Sequence, residues 1–229
     1  MNSKKQSHPA LLFDLDGTLI DSVYQHVLAW REALQGAGIE LAVWRIHRRI
    51  GMSGGLFINA LSREIGIEMD QEGIAKAQAL HHEAYSKMSD QVVPLPGARE
   101  LLSYLTVNNV PWAIATSGHR KSCAPLLEKL AVPSTVPVIT RDMVEHAKPD
   151  PDLFLAAAAQ LGVDIESSIV VGDSIWDLLA ARRARALGIG LLSGGYGQTE
   201  LEVAGAYRVY ADPADLLAHL DEVGIRAAY

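Results

Sequence analysis

The sequence contains a single cysteine, few aromatic residues and no long apolar run. Because Cys123 is the only cysteine among 229 residues, an internal disulfide is excluded, as is usual for cytoplasmic proteins. No segment approaches the roughly 18 to 20 apolar residues that a membrane-spanning helix requires. Residues 1–9 are polar and do not resemble a signal peptide. We therefore expect a cytoplasmic protein without a membrane partner.

Positive charge is also scarce. The chain has 20 Lys and Arg residues against 27 Asp and Glu residues, a net charge of −7, and no extended basic run. Binding to a nucleic acid depends on basic side chains that neutralise phosphates, so we expect no nucleic-acid partner. Hydrophobic residues make up 49% of the chain and charged residues 21%, which is the composition of an ordinary globular protein.

Short apolar runs alternate with longer amphipathic stretches along the chain. This alternation is typical of β-α-β units that build a parallel sheet. The predicted strands are residues 10–13, 110–115, 136–139, 168–171, 187–192 and 207–210. We predict an α/β fold with a Rossmann-like, doubly wound parallel sheet. In such a sheet, ligands bind beyond the carboxyl ends of the strands.

A long helical stretch separates the first predicted strand from the second. Between Asp21 and Val93 the apolar residues recur at steps of three and four, as at Val27, Trp30 and Leu34. A connection within a β-α-β unit is usually much shorter. We therefore predict that residues 22–93 form an inserted all-helical domain, and that residues 1–21 and 94–229 form the core.

Two aspartates follow the first strand, at Asp14 and Asp16, and Gly17 comes directly after them. Side chains two residues apart in an extended chain point the same way, so both carboxylates can face one pocket. Two carboxylates held close together resist joint ionisation unless a cation joins them, and Mg²⁺ prefers such oxygen ligands. One carboxylate can attack phosphorus while the other transfers a proton.

The sequence resembles the haloacid dehalogenase superfamily of phosphohydrolases in four motifs that occur in the expected order. These are DxDGT at residues 14–18, a strand ending in Thr-Ser-Gly at 116–118, Lys-Pro at 148–149, and Gly-Asp at 172–173 with a second aspartate at 177. Within the superfamily, the chain is similar to the helical-cap subfamily of phosphoglycolate phosphatases and β-phosphoglucomutases.

The resemblance implies a Mg²⁺-dependent reaction through an aspartyl-phosphate on Asp14. It implies that Asp16 protonates the leaving alcohol and then activates water, and that Lys148 supplies fixed positive charge. The implied phosphate-binding residues are Thr116, Ser117, Gly118 and Lys148. The implied metal-binding residues are Asp14, Asp16 through its backbone carbonyl, Asp173, and Asp177, which orients a bound water or pairs with Lys148.

In this superfamily an insertion directly after the first motif is a helical cap, and residues 22–93 fit that place. Within it, residues 48–55 combine arginines with glycines that interrupt the helical pattern, so we expect this segment to approach the substrate. The candidate substrate-binding residues are His26, Arg49, Gly51, Met52, Ser53, His119 and Arg120. We expect four large aromatic residues in the core, Trp30, Trp44, Trp112 and Phe57. The adjacent His81 and His82 are expected on a helix surface.

The leading interpretation is a phosphomonoesterase for a small soluble ester, such as a sugar phosphate or phosphoglycolate, acting as a monomer or homodimer. The alternative is a mutase resembling β-phosphoglucomutase. An ungapped alignment with that enzyme places Gly54 at an arginine that grips the second phosphate, and His81 at a lysine, which favours hydrolysis. A dehalogenase would lack Asp16, a phosphonatase would need a cap lysine in a recognisable motif, and a non-catalytic protein would have lost a catalytic position.

Overall fold

A parallel β-sheet forms the centre of the protein. The structure is a computed structural model that describes residues 8–66 and 69–226. Within these residues the strands are, in chain order, β1 (Ala10–Phe13), β2 (Ile20–Asp21), β3 (Val93–Pro94), β4 (Trp112–Ala115), β5 (Val138–Ile139), β6 (Ser168–Gly172), β7 (Leu187–Leu191) and β8 (Ala206–Tyr210). Six of them form one sheet in the order β5-β4-β1-β6-β7-β8, with every pairing parallel. The predicted sheet and its six strands are confirmed.

Two strands begin later than predicted. The strand predicted at 110–115 begins at Trp112, and the strand predicted at 136–139 begins at Val138. In both cases the residue before the observed start is a proline, Pro111 or Pro137. Proline has no backbone N–H to donate to a neighbouring strand, so regular pairing starts only after it.

The described part of the chain also contains ten α-helices. They are α1 (Val23–Gly36), α2 (Val43–His47), α3 (Gly54–Ile65), α4 (Gln71–Ser86), α5 (Ala98–Val107), α6 (Arg120–Lys129), α7 (Asp152–Leu161), α8 (Ile175–Ala184), α9 (Gln198–Ala204) and α10 (Pro213–Ala218). None of the helices in residues 8–66 and 69–226 is long and apolar enough to cross a membrane.

Helices cover both faces of the central strand β1. Leu11 and Phe13 belong to a core cluster that includes buried residues of α5, α6 and α10. Leu12 points to the opposite face and joins a cluster with buried residues of α7 and α8. A strand buried on both faces is continuously apolar, which explains why residues 10–13 lack the alternation of a half-exposed strand.

The helices α1 to α4 form the predicted insertion. The chain leaves the core through β2 and returns through β3, and these two short strands pair antiparallel, with Ile20 opposite Pro94. Between them, buried residues of α1, α3 and α4 build a separate apolar cluster that includes Trp30 and Phe57. The predicted α/β fold with an inserted helical domain is therefore confirmed.

Trp44 is the exception among the aromatic residues expected in the core. Trp30, Trp112 and Phe57 are buried as predicted, but Trp44 is 64% exposed. It lies on the five-residue helix α2 with the Arg45 guanidinium 5.3 Å from the centre of its ring. So short a helix buries only one residue, Ile46, and the tryptophan remains on the outer side.

Gly97, which precedes α5, provides a test of this packing. Its φ is +73°, and a Cβ atom at this position would overlap the backbone of Ala214. We expect Gly97→Ala to lower the free energy of unfolding by about 2 kcal/mol or more, because conformational strain and overlap add. Gly162→Ala is the matched control, since φ there is +67° but an added Cβ would meet open space. In Gly162→Ala the free energy of unfolding should fall by about 1 kcal/mol. Equal decreases in the two variants, measured by urea unfolding, would contradict this account of Gly97.

Candidate active site

Residues from three of the sequence motifs meet where the central strands end. Asp14 follows β1, Thr116 follows β4 and Asp173 follows β6. Because β1 pairs with β4 on one side and β6 on the other, the three residues converge at one edge of the sheet. Lys148 comes from the loop before α7 and Asp177 from the first turn of α8. The structure thus brings the four motifs together.

The Lys148 ammonium lies at the centre of this group and is fully buried. Its Nζ atom donates a hydrogen bond to Asp14 Oδ1 and lies 2.8 Å from Asp177 Oδ1. The Phe154 ring covers it at 5.2 Å from the ring centre. Burial alone would lower the pKa of Lys148, but the two carboxylates outweigh burial and raise this pKa above its ordinary value. Lys148 is therefore a fixed cation.

Three carboxylates, those of Asp14, Asp173 and Asp177, form a buried cluster beside this ammonium. One oxygen of each lies within 4.8 Å of the others, and Thr18 Oγ1 donates to Asp173 Oδ1 at 2.8 Å. Burial raises the pKa of Asp14 to about 7, against the lowering effect of Lys148. Burial and the neighbouring carboxylates raise the pKa of Asp173 well above its ordinary value. One ammonium cannot neutralise three carboxylates, so these oxygen donors fit a divalent cation such as Mg²⁺.

The Asp16 side chain is directed to other partners. Its Oδ1 atom accepts a hydrogen bond from Ser22 Oγ at 2.6 Å and lies 3.2 Å from His26 Nε2. Burial alone would raise the pKa of Asp16, but His26 and Ser22 lower it below its ordinary value. The Asp16 carboxylate does not belong to the cluster formed by the other three residues implied as metal-binding. If Asp16 binds the metal, it would therefore do so through its backbone carbonyl.

The other three residues implied as phosphate-binding, Thr116, Ser117 and Gly118, directly follow β4, the neighbour of β1. Thr116 is buried, and its Oγ1 atom accepts a hydrogen bond from the Gly118 amide at 2.9 Å. Ser117 Oγ donates to the Gly51 carbonyl of the insertion at 2.9 Å. These three residues, together with Asp14 and Asp16, line a cavity of about 300 Å³ between the sheet and the insertion.

The segment between α2 and α3 holds the insertion against the core. His47 Nε2 lies 2.7 Å from the Gly194 carbonyl, and Tyr196 Oη donates to the Arg48 carbonyl at 2.9 Å. The Arg48 guanidinium forms an ion pair with Glu200. These contacts fix the chain just before Arg49, Ile50 and Gly51, which line the cavity.

The candidate substrate-binding residues divide into two groups. The cavity is lined by five of the seven, namely His26, Arg49, Gly51, Met52 and His119. Ser53 is buried at the start of α3, where its carbonyl accepts from Phe57 N at 2.8 Å, and it does not line this cavity. Arg120 is exposed at the start of α6, where its amide donates to Asp142 Oδ2.

His82 is exposed on α4, as expected for a helix surface, whereas His81 is only partly exposed. Both line the cavity, and His81 is stacked on Trp30 with ring centres 4.2 Å apart. His81 Nε2 lies 3.2 Å from His26 Nδ1. Burial, aided by His26 and His82, lowers the pKa of His81 well below its ordinary value, so this imidazole is neutral at pH 7.

Further cavity residues that sequence reasoning missed lie on two helices. Gln78 and Tyr85 of α4 also line the cavity, as do Lys121 and Ser122 of α6. Positions 78, 81, 82 and 85 follow the three- and four-residue steps of one helix face. The sequence therefore indicated that these four positions share one face of α4, but not that this face lines a cavity.

Metal binding should appear as a change in thermal stability. Because the pKa of Asp14 is raised to about 7 and that of Asp173 is also raised, the folded metal-free protein binds more protons than the unfolded chain. Its stability should therefore fall as pH rises from about 4 through 7. Mg²⁺ should oppose this loss, with a larger increase of the midpoint at pH 8 than at pH 6. At 100 times its dissociation constant, Mg²⁺ would add about 2.7 kcal/mol, or roughly 5 to 10 °C.

Matched variants identify the carboxylates responsible. Asp173→Asn should raise the unfolding midpoint in excess chelator and remove most of the Mg²⁺ effect, whereas Asp177→Asn should remove less of it. Asp221→Asn is the control, since Asp221 is exposed and outside the cluster. Scanning fluorimetry with and without chelator measures all four proteins. An unchanged Mg²⁺ effect in Asp173→Asn would exclude Asp173 as a ligand.

Comparison with known proteins identifies the family. A model of haloacid dehalogenase-like hydrolases matches residues 8–185. The chain is 31% identical over 191 residues to the phosphoglycolate phosphatase of Agrobacterium fabrum, covering 81% of each chain. It is 31% identical over 165 residues to hexitol phosphatase A of Escherichia coli, covering 71% of this chain and 73% of that protein. The crystal structure of a hydrolase from Pseudomonas syringae has a TM-score of 0.92 and 53% identity, covering 94% of this chain and 99% of that chain. The chain is a member of the haloacid dehalogenase-like hydrolase family.

Proposed function

We propose that this hydrolase is a Mg²⁺-dependent phosphomonoesterase that acts on a small soluble phosphate ester, of the sugar phosphate or phosphoglycolate type, through an aspartyl-phosphate. The observation that carries the proposal is the buried Lys148 held between Asp177 and Asp14, which lines the cavity, with Asp173 beside them. Both named relatives at 31% identity are phosphatases, which supports the same reaction class.

Asp14 is the nucleophile in this proposal. A carboxylate oxygen of Asp14 forms a bond to phosphorus as the bond from phosphorus to the ester oxygen breaks. Asp16, which lines the same cavity, gives a proton to the departing oxygen. It then takes a proton from the water that attacks the aspartyl-phosphate, which releases inorganic phosphate and restores Asp14.

Fixed charge and hydrogen bonds stabilise the negative oxygens of the phosphoryl group. Lys148 supplies positive charge without any change of its protonation state, and Thr116 and Ser117 supply hydroxyl groups at the cavity wall. The residues that would hold Mg²⁺ are Asp14, Asp173 and the Asp16 carbonyl. Bound there, the cation would add positive charge beside the phosphoryl oxygens.

The insertion acts as a cap over these groups. We assign residues 22–93 to the cap and residues 1–21 and 94–229 to the catalytic core, with β2 and β3 as the connections. The contacts of residues 47–51 with the core hold the cap beside the cavity, and exclusion of water by a bound ester would strengthen the electrostatic interactions within it. The single buried Cys123 is compatible with a reducing cytoplasm.

The mutase alternative is less compatible with the cap. A mutase has to grip a second phosphate, and the position aligned with its arginine is Gly54. A Cβ atom on Gly54 would lie 3.1 Å from Gln78 Nε2 and 3.3 Å from Trp30 Cζ2, so a longer side chain has little space. The position aligned with the lysine is His81, which is neutral at pH 7. Hydrolysis therefore remains the better interpretation.

Loss of the nucleophile tests the proposed reaction. Asp14→Asn should abolish release of phosphate, because an amide does not attack phosphorus. Asp16→Ala should slow turnover by about 10²- to 10⁴-fold through loss of proton transfer. Steady-state phosphate release with Mg²⁺ measures both variants, with Asp221→Asn as the control. Asp14→Asn activity above about one per cent of wild type, once deamidation is excluded, would remove Asp14 from its role.

The fate of the phosphoryl group separates phosphatase from mutase. When the enzyme is phosphorylated on Asp14 by an acyl phosphate, the phosphoryl group should be transferred to water within seconds to minutes. β-Glucose 1-phosphate should not be converted to glucose 6-phosphate in the presence of a bisphosphate primer, because the cap offers no cationic grip at Gly54. The measurement is ³¹P NMR of the products. Rapid isomerisation with negligible inorganic phosphate would establish the mutase instead.

A further inference from the structure

The cap side of the cavity is formed largely by uncharged rings. Trp30 of α1 is stacked between Phe57 of α3, with ring centres 4.3 Å apart, and His81 of α4 at 4.2 Å. Gln78 of α4 is beside them and also lines the cavity. This wall offers flat apolar surface together with the hydrogen-bonding groups of an amide and an imidazole.

The one arginine of the cavity lining has its charge satisfied within the cap. Arg49 is 15% exposed, its Nη2 atom forms an ion pair with Glu64, and its Nη1 atom donates to the Arg45 carbonyl at 2.6 Å. An anion in the cavity would have to compete with the Glu64 carboxylate for this guanidinium. Gly54, next to Trp30, contributes no side chain.

Two further basic residues of the cap wall carry no available charge, because His26 is paired with Asp16 Oδ1 at 3.2 Å and His81 is neutral at pH 7. The other basic residues of the lining are at its solvent-exposed part. Lys121 and His82 are exposed, and His119 is exposed with its Nδ1 atom 2.6 Å from Asp142 Oδ1. None of the three belongs to the Trp30 stack. The enclosed cap wall thus lacks an available positive charge among the described residues that line the cavity.

We propose that the cavity selects phosphate esters whose leaving group is uncharged and carries both a flat C–H face and hydroxyl groups, as a sugar or polyol does. This inference rests on the proposed function. The C–H face would lie against the edge of the Trp30 stack, since Phe57 and His81 cover the faces of the indole ring, and Gln78 and His81 would bind hydroxyl groups. A leaving group with a carboxylate or a second phosphate would lose its hydration without gaining a partner cation.

Pairs of esters in which one member carries an added carboxylate test the selection, and the second pair differs in that group alone. The first pair is glucose 6-phosphate and 6-phosphogluconate, and the second is glycerol 3-phosphate and 3-phosphoglycerate. We expect kcat/KM for phosphate release to favour the uncharged member of each pair by about tenfold or more, the effect of burying an unpaired polar group. Acetyl phosphate has a leaving group too small to reach the cap wall, so its hydrolysis measures the phosphatase reaction without recognition by that wall.

Two variants with matched controls connect the selection to the cap. Glu64→Gln releases Arg49 and should raise kcat/KM for 6-phosphogluconate by about tenfold relative to glucose 6-phosphate. Glu200→Gln is the control, because it releases Arg48, which does not line the cavity. Trp30→Leu should raise KM for glucose 6-phosphate but not for acetyl phosphate, whereas Trp44→Leu, at an exposed position, should change neither.

The outcomes distinguish this inference from the function on which it rests. Two results would overturn the selection for uncharged leaving groups while leaving the phosphatase function intact. One is a preference of the wild-type enzyme for the anionic members, and the other is a Glu64→Gln variant whose ratio of kcat/KM for 6-phosphogluconate to that for glucose 6-phosphate is unchanged. Absence of phosphate release from all four esters and from acetyl phosphate would overturn the proposed function and this inference with it. The inference is supported if the wild-type enzyme has the higher kcat/KM for the uncharged members, and if this difference becomes smaller in Glu64→Gln but not in Glu200→Gln.

Discussion

The contacts of the buried Lys148 ammonium with Asp14 and Asp177 are the constraint on which the rest of the site depends. A fully buried ammonium is stable only when nearby carboxylates compensate its charge. Here the contacts of Lys148 with Asp14 and Asp177 join the loop before α7 to the end of β1 and to the start of α8. With Asp173 included, the group carries more negative than positive charge and accommodates a cation. The same excess of negative charge makes the metal-free site costly, so a bound divalent cation would stabilise the fold.

The helical insertion adds a second, chemically different surface to the same cavity. The core side offers carboxylates, hydroxyls and an ammonium, whereas the cap side offers stacked rings and an amide. His26 connects the two, since it approaches Asp16 with one ring nitrogen and His81 with the other. The division separates the proposed chemistry, which the core performs, from recognition of the leaving group, which is assigned to the cap.

The sequence was informative where chemistry and local pattern coincide. Apolar runs that end in Asp14, Thr116 and Asp173 predicted both the strands and their meeting point, because the ends of parallel strands converge. It was uninformative where function depends on how one helix packs against another. His81 was assigned to a surface because nothing in the sequence of α4 shows that Trp30 of α1 covers it. Arg49 was correctly expected at the cavity, but its partner Glu64, fifteen positions further on, follows no local motif.

The central claim is that Asp14 carries the phosphoryl group during turnover. The most direct test mixes the wild-type enzyme with Mg²⁺ and glucose 6-phosphate, quenches it with acid within milliseconds, and analyses the intact protein and its peptides by mass spectrometry. The account predicts one phosphoryl group, located on Asp14, that is absent when a chelator replaces Mg²⁺. A protein that turns over substrate without any covalent phosphoryl group, or that carries it on another residue such as Thr116, would contradict the account.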